Sequence, residues 1–172
     1  MLNTEKKLSI VMPAYNEGEN IYQNLQTVSL TISKFMRRYE IIAVNDGSQD
    51  DTKSEIIRCM KNDTHIHIVS YKKNRGKGNA TKCGVSKATG DFIAFLDSDL
   101  DIPPSQIEQY MIPLINDKAD VVIGSKMHKE SKLEYPLIRK IISYGYYCML
   151  KVLFRLGVKD TQTGLKVFKA DA

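Results

Sequence analysis

The chain is poor in cysteine, in histidine and in long apolar runs, and each shortage removes a class of protein. Its three cysteines, Cys59, Cys83 and Cys148, are odd in number and far apart, with no Cys-x-x-Cys. That argues against a disulfide framework and a zinc site, and for a reducing, cytoplasmic setting. Of the three histidines, His65 and His67 alternate on a strand-like run with no further ligands nearby, and read as strand-surface residues. No stretch approaches the roughly 20 apolar residues of a membrane span. Residues 1–7 are polar and the first apolar run is short, so no signal peptide is expected. The nucleotide-binding loops of two large enzyme classes are also missing. After the first apolar run, where a dinucleotide fold needs Gly-x-Gly-x-x-Gly, stands Pro13-Ala14-Tyr15-Asn16-Glu17-Gly18. A Gly-x-x-x-x-Gly-Lys-Ser/Thr loop occurs nowhere, and Gly76-Lys77-Gly78 lacks the rest of either pattern. Hydride transfer and P-loop chemistry are both excluded.

What is present suits one soluble domain. The 172 residues suffice for a real core, and 42% hydrophobic with 26% charged residues is a globular composition. The net charge of +5 is concentrated. Residues 126–159 carry eight Lys/Arg against Glu130 and Glu134, so the rest of the chain is slightly acidic. A basic stretch of that kind points to an anionic partner of that segment.

Apolar runs at 8–12, 41–44, 65–71, 92–96 and 121–123 predict five strands. Helical spacing predicts helices over 19–37, from Asp50 or Asp51 to 60, over 77–88 with Gly90 as the capping glycine, and over 104–115. Strands alternating with helices predict an α/β fold: a mostly parallel central sheet with helices on both faces, its ligand at the C-terminal tips of the strands. Residues 134–156 differ. Over 136–156 an apolar face (Ile138, Ile141, Ile142, Met149, Val152, Leu153, Leu156) lies beside a stripe of Lys140, Ser143, Tyr147 and Lys151. By pattern alone this helix either docks on the sheet or lies in a membrane interface.

The chemistry gathers at Phe92-Ile93-Ala94-Phe95-Leu96-Asp97-Ser98-Asp99-Leu100-Asp101, where an apolar strand ends in carboxylates at alternating positions. In extended backbone such residues share a side, so Asp97, Asp99 and Asp101 are candidates to converge on a hard divalent ion, Mg²⁺ or Mn²⁺. An acidic loop after a strand is the plainer alternative.

Pro13-Ala14-Tyr15-Asn16-Glu17, Asn45-Asp46-Gly47-Ser48-Gln49-Asp50-Asp51-Thr52, Asn74-Arg75-Gly76-Lys77-Gly78 and Asp97-Ser98-Asp99 follow one another at predicted strand ends. In that order they resemble the signature of family 2 glycosyltransferases of the GT-A fold. Asp160-Thr161-Gln162-Thr163-Gly164-Leu165-Lys166 further resembles the subgroup that glycosylates polyprenyl phosphates, such as the dolichyl-phosphate mannosyltransferases. The resemblance covers residues 9–168.

It implies an inverting hexosyltransferase using a nucleotide-diphosphate sugar of GDP-mannose or UDP-glucose type, with a dolichyl or undecaprenyl phosphate as acceptor. It implies that Pro13, Ala14, Tyr15 and Glu17 border the nucleoside with Asn45, that Asp46 faces the base or ribose, and that Asp97, Ser98 and Asp99 meet the diphosphate and its metal, with Asp101 as a further metal contact. Lys77 is either a phosphate contact or part of a solvated basic loop with Lys72, Lys73 and Arg75. A sugar-hydroxyl acceptor needs a general base, and the Glu-Asp pair that serves many family members is absent from the third quarter of the chain. A phosphate acceptor is already anionic and needs cations instead. Lys126 and Arg139, with Gln162, occupy the corresponding places, although Lys at the first loses the bidentate fork of an arginine. That acceptor favours residues 136–156 at a membrane surface, peripheral and on the cytoplasmic face, and leaves no role for nucleic acid. Two other readings stay open: a hydroxyl acceptor with Asp160 as base, and a nucleotide-sugar-binding module without turnover. Little follows the Gln-Thr-Gly motif before the chain ends in Phe168-Lys169-Ala170-Asp171-Ala172, so one domain over 1–172, cut short at its C-terminus, is expected.

Overall fold

The computed structural model describes residues 1–124 and 164–172. The chain divides into two compact units, Met1–Val122 with Gly164–Ala172, and Ile123–Thr163. Lys126, Arg139, Cys148, Asp160, Gln162 and the amphipathic stretch 134–156 lie outside the described residues.

The strands are β1 (Leu8–Ala14), β2 (Tyr39–Asp46), β3 (Ile66–Tyr71), β4 (Phe92–Phe95), β5 (Val121–Ile123) and β6 (Lys166–Lys169); the helices are α1 (Ile21–Ile32), α2 (Thr52–Asn62), α3 (Lys77–Val85) and α4 (Gln106–Ile115). They form one six-stranded sheet in the order β3-β2-β1-β4-β6-β5. β1, β2, β3 and β4 run parallel, and β6 pairs antiparallel to β4 with Phe92 opposite Lys169. β2 is buried along its whole length and β1 almost so, as strands covered on both faces must be. Alternation divides the core. Ile10, Met12, Ile41, Ala43, Phe92 and Ala94 face α1, α2 and α4, whereas Val11, Ile42, Val44 and Ile93 face Ala80 on α3. Helices therefore cover both faces, as expected. Among the described residues no helix is long and apolar enough to cross a membrane.

Several boundaries differ from the sequence expectation for identifiable reasons. β1 continues through Pro13, which stands opposite Val44. The Val11 carbonyl accepts from the Leu96 N–H at 3.1 Å, on the β4 side. Pro13, two residues on, faces that same side after the β1–β4 register has ended at Phe95, so its missing donor leaves no ladder bond broken. α1 stops at Ile32 rather than at residue 37. α3 stops at Val85, and Gly90 is no cap: its N–H donates to Ser9 Oγ at 2.8 Å, where a side chain would collide with the Lys7 and Ser9 backbone. Asp51 occupies the N-cap position of α2, but the carboxylate that accepts the Thr52 N–H is Asp50 Oδ1, at 3.0 Å. His67 is exposed as expected, while His65 stacks on Tyr39 at 4.3 Å and pairs with Asp63.

Strand order reverses between β1 and β4: β2 and β3 lie to one side of β1, β4 to the other. At such a switch point the loops leaving neighbouring strands diverge and open a crevice at the C-terminal tips.

Candidate active site

The crevice is an open cleft of about 300 Å³, lined by Pro13, Ala14, Tyr15 and Glu17 after β1, Asp46 at the end of β2, Asn74, Gly76 and Lys77 before α3, and Asp97, Ser98 and Asp99 after β4. Nine of the sequence-derived candidates thus meet in one place. Asn45 does not. It is buried, donates from Nδ2 to Ser70 Oγ at 3.0 Å and accepts the Ser48 N–H at 3.1 Å, so its amide holds the loop rather than facing the cleft.

Asp101 is outside the lining as well, and the reason is backbone geometry. The expected alternation requires extended chain, but the Leu100 N–H closes a turn onto the Asp97 carbonyl at 3.3 Å, and Leu100 takes a left-handed φ of 55°. Asp101 is exposed, and its N–H donates to Asp99 Oδ1 at 3.1 Å. Among the described residues no group of three His, Cys, Asp or Glu side chains is arranged to hold a metal ion. Of the three aspartates, Asp97 and Asp99 line the cleft and Asp101 does not.

Two loops make the rim and are laced together. Asn16, with φ 55°, accepts the Gln49 N–H and donates its own N–H to Ser48 Oγ, both at 3.0 Å. The Glu17 N–H donates to Thr52 Oγ1 at 2.8 Å and the Gly18 N–H to Asp50 Oδ2 at 2.9 Å. The stretch from Ser48 to Thr52 is thus scaffolding for Tyr15 and Glu17. Asp46 is buried, and its Oδ1 accepts the Arg75 N–H at 2.8 Å, which ties the end of β2 to the loop before α3. Gly47 makes this closeness possible. It adopts φ 68°, and a Cβ there would come within 2.5 Å of the Lys73–Asn74 backbone. Burial pushes the Tyr71 hydroxyl up to about 12, with the neighbouring Asp46 carboxylate adding to the effect.

The electrostatics of the cleft are mixed. Burial, then the negative charges of Asp99 and Asp50, raise Glu17 above the ordinary carboxylate range. Against these acids stands, among the described lining residues, one cation: Lys77 Nζ lies 2.6 Å from Asp97 Oδ1. Lys77 is also the first residue of α3, so a helix N-terminus opens here, with its partial positive charge.

Two residues with no assigned role in the sequence reading lie against the turn that carries Asp97 and Asp99. Asn24 on α1 donates from Nδ2 to the Ser98 carbonyl at 2.8 Å. Gly164, just before β6, lies against Asp97, and a Cβ on it would approach Asp97 Cγ to 2.9 Å. Only Gly164, inside the Gln-Thr-Gly run, carried a sequence signal.

The family described as glycosyl transferase family 2 matches residues 9–170. This chain belongs to glycosyl transferase family 2. Among curated relatives it is 31% identical to a dolichyl-phosphate beta-glucosyltransferase of Saccharomyces cerevisiae, over 96% of this chain and 55% of that protein. It is 34% identical to an undecaprenyl-phosphate 4-deoxy-4-formamido-L-arabinose transferase of Yersinia enterocolitica, over 87% of this chain and 49% of that one. The chain thus spans about half the length of the relatives it matches. Among solved structures, a mannosyltransferase of Pyrobaculum calidifontis in complex with GDP-Man and Mn²⁺ superposes with a TM-score of 0.68 at 18% identity, covering 97% of this chain and 45% of that one. Glucosyl-3-phosphoglycerate synthase of Mycobacterium tuberculosis, with Mn²⁺ and UDP-glucose, gives 0.69 at 21%, covering 97% and 57%. At those identities they establish the fold, and this family 2 chain has the GT-A fold expected of it.

Proposed function

We propose that this chain carries the donor site of a polyprenyl-phosphate glycosyltransferase, which moves a hexose from a nucleotide-diphosphate sugar to a lipid phosphate. One observation carries the donor half: two carboxylates, Asp97 and Asp99, share a cleft with Lys77 at the N-terminus of α3. A diphosphate needs both kinds of group, carboxylates to hold its metal and a cation with helix N–H groups for its oxygens.

The donor set fits a divalent ion. It is all oxygen, with two carboxylates on one turn, and an ammonium, that of Lys77, already stands on Asp97. Asp97 and Asp99 would hold Mg²⁺ or Mn²⁺, which when bound neutralises the negative charge of the departing nucleoside diphosphate. The chain's own residues do the rest. Pro13, Ala14 and Tyr15 border the nucleoside, and Asp46, fixed by the Arg75 N–H, lies on the side of base or ribose. Lys77 and the α3 N-terminus hold the phosphates. The acceptor oxygen is already anionic, so it attacks the anomeric carbon without a general base, the bond to the diphosphate breaks on the opposite face, and the configuration inverts.

The names of the relatives, dolichyl- and undecaprenyl-phosphate transferases, support the lipid phosphate acceptor. Lys126, Arg139 and Gln162 are the residues proposed to hold it, and residues 134–156 the segment proposed to lie peripherally on the cytoplasmic face of a membrane. The experiment incubates the chain and Mn²⁺ with radiolabelled UDP-glucose or GDP-mannose and with dolichyl or undecaprenyl phosphate in detergent. Label entering the lipid phase is the expected result. Transfer to a free saccharide without lipid phosphate would overturn the acceptor, and donor binding with no transfer would leave a binding module only.

A further inference from the structure

The cleft holds four carboxylates, Glu17, Asp46, Asp97 and Asp99, and among its described lining residues a single cation. That cation rests on Asp97 Oδ1, at 2.6 Å. The other oxygen, Oδ2, lies against Gly164, so close that a Cβ there would overlap it. The face of Asp97 turned to the open cleft is therefore the one that Lys77 covers. Asp99 is committed in part as well, since its Oδ1 accepts the Asp101 N–H.

We propose that Lys77 is a resident counter-cation which a divalent ion has to displace from Asp97, and that a nucleoside diphosphate relieves the competition by drawing the ammonium onto its phosphates. The inference rests on the donor-site reading above and adds a binding order to it. Three observations carry it. The pair is solvent-exposed, with the Lys77 side chain 65% and the Asp97 side chain 30% accessible, so it is weak enough to exchange. Lysine has a flexible four-carbon stem and a compact charge, so its ammonium can swing while its backbone stays at the start of α3. The α3 N-terminus beside it favours an anion at the place where the ammonium would go. Metal alone meets a lysine on its ligand. Metal with nucleotide meets a free carboxylate. The two ligands then bind with positive coupling, and by linkage each strengthens the other by the same factor.

Mn²⁺ binding, read from the electron paramagnetic resonance signal of the free ion, tests this with wild type, Lys77→Met and Lys77→Arg, each with no nucleotide, UDP or GDP. Lys77→Met should bind Mn²⁺ alone about two- to fivefold more tightly than wild type, the range expected for loss of an exposed ion pair. The factor by which the bound nucleotide tightens Mn²⁺ should fall by at least as much. Lys77→Arg keeps the charge and should stay near wild type in the absence of nucleotide. If Lys77→Met binds bare Mn²⁺ no better than wild type, or if its nucleotide enhancement is undiminished, the competition is refuted while the donor site stands. Wild type that binds neither nucleotide with Mn²⁺ removes the donor site and this proposal with it.

Discussion

Asn24 and Ser98, 74 residues apart, are joined by a 2.8 Å hydrogen bond from the Asn24 amide to the Ser98 carbonyl. Through it helix α1 holds the turn on which Asp97 and Asp99 stand. Asn24 itself is not among the residues that line the cleft, so its role is to position the turn. Asn24→Ala should weaken Mn²⁺-dependent nucleotide binding about two- to tenfold, the equivalent of one net hydrogen bond. Titration calorimetry checks it, with Asn24→Gln expected to recover part of the loss. Unchanged affinity would show that the turn holds itself.

Gly164 makes a sharper case, because the contact is steric. Its backbone angle is open to any residue, so alanine there meets no conformational penalty of its own, only the Asp97 carboxyl. Gly164→Ala should lower Mn²⁺-dependent nucleotide affinity by about tenfold, consistent with the 1–3 kcal/mol of an overpacked contact. In an Asp97→Ala background the same change should have no effect, since the atoms it strikes are gone. A double-mutant cycle on nucleotide affinity measures that coupling. Equal effects in both backgrounds would assign Gly164 to general packing.

The parallel strands were legible because each is an apolar run that ends in polar residues, and burial on both faces requires just that pattern. The cleft was legible for the same reason: Asp46, Asp97 and Tyr15 mark strand tips. What escaped the sequence depends on tertiary partners. β6 is four residues long, Lys166-Val167-Phe168-Lys169, shows no apolar–polar alternation, and is a strand because β4 offers it an edge. Asp101 looked equivalent to Asp97 and Asp99 until the left-handed Leu100 broke the alternation. Asn24, an ordinary polar residue on a helix, gave no sign of reaching a turn 74 positions later.

Glu40, at the opposite end of the sheet from the cleft, supplies a pH-dependent prediction. Its carboxylate accepts from Lys7 Nζ at 2.7 Å, Ser9 Oγ at 2.6 Å and the Thr89 N–H at 2.8 Å. Burial alone would raise its pKa, but these donors outweigh burial and bring it from the ordinary 4.5 down to about 2. Between those values the unfolded chain binds the proton more readily than the folded one. The stabilisation is therefore fully present above about pH 4.5 and fades as pH falls toward 2. Glu40→Gln should cost about 2 kcal/mol at neutral pH, where it leaves Lys7 without its charge partner. The gap in melting temperature from wild type should close progressively below pH 4.5. A gap independent of pH would mean that packing, rather than charge, holds this end of the sheet.

The donor site itself is tested most directly through Asp99. Removing a carboxylate from a charged, hydrogen-bonded site typically weakens binding by 2 kcal/mol or more, about 30-fold. Calorimetry with GDP and UDP, each with and without Mn²⁺, should give binding of one nucleotide that depends on the metal and is abolished by a chelator. Asp99→Ala should weaken it by about 30-fold or more, whereas Asp101→Ala, on an exposed residue outside the cleft, should leave it within about twofold of wild type. The contrast between the two aspartates is the discriminating result, because an acidic loop that attracts metal by charge alone would lose affinity equally from either substitution. Equal losses would therefore return Asp97 and Asp99 to the status of a solvated acidic turn, and a large loss confined to Asp99 would make the turn after β4 the metal and diphosphate site.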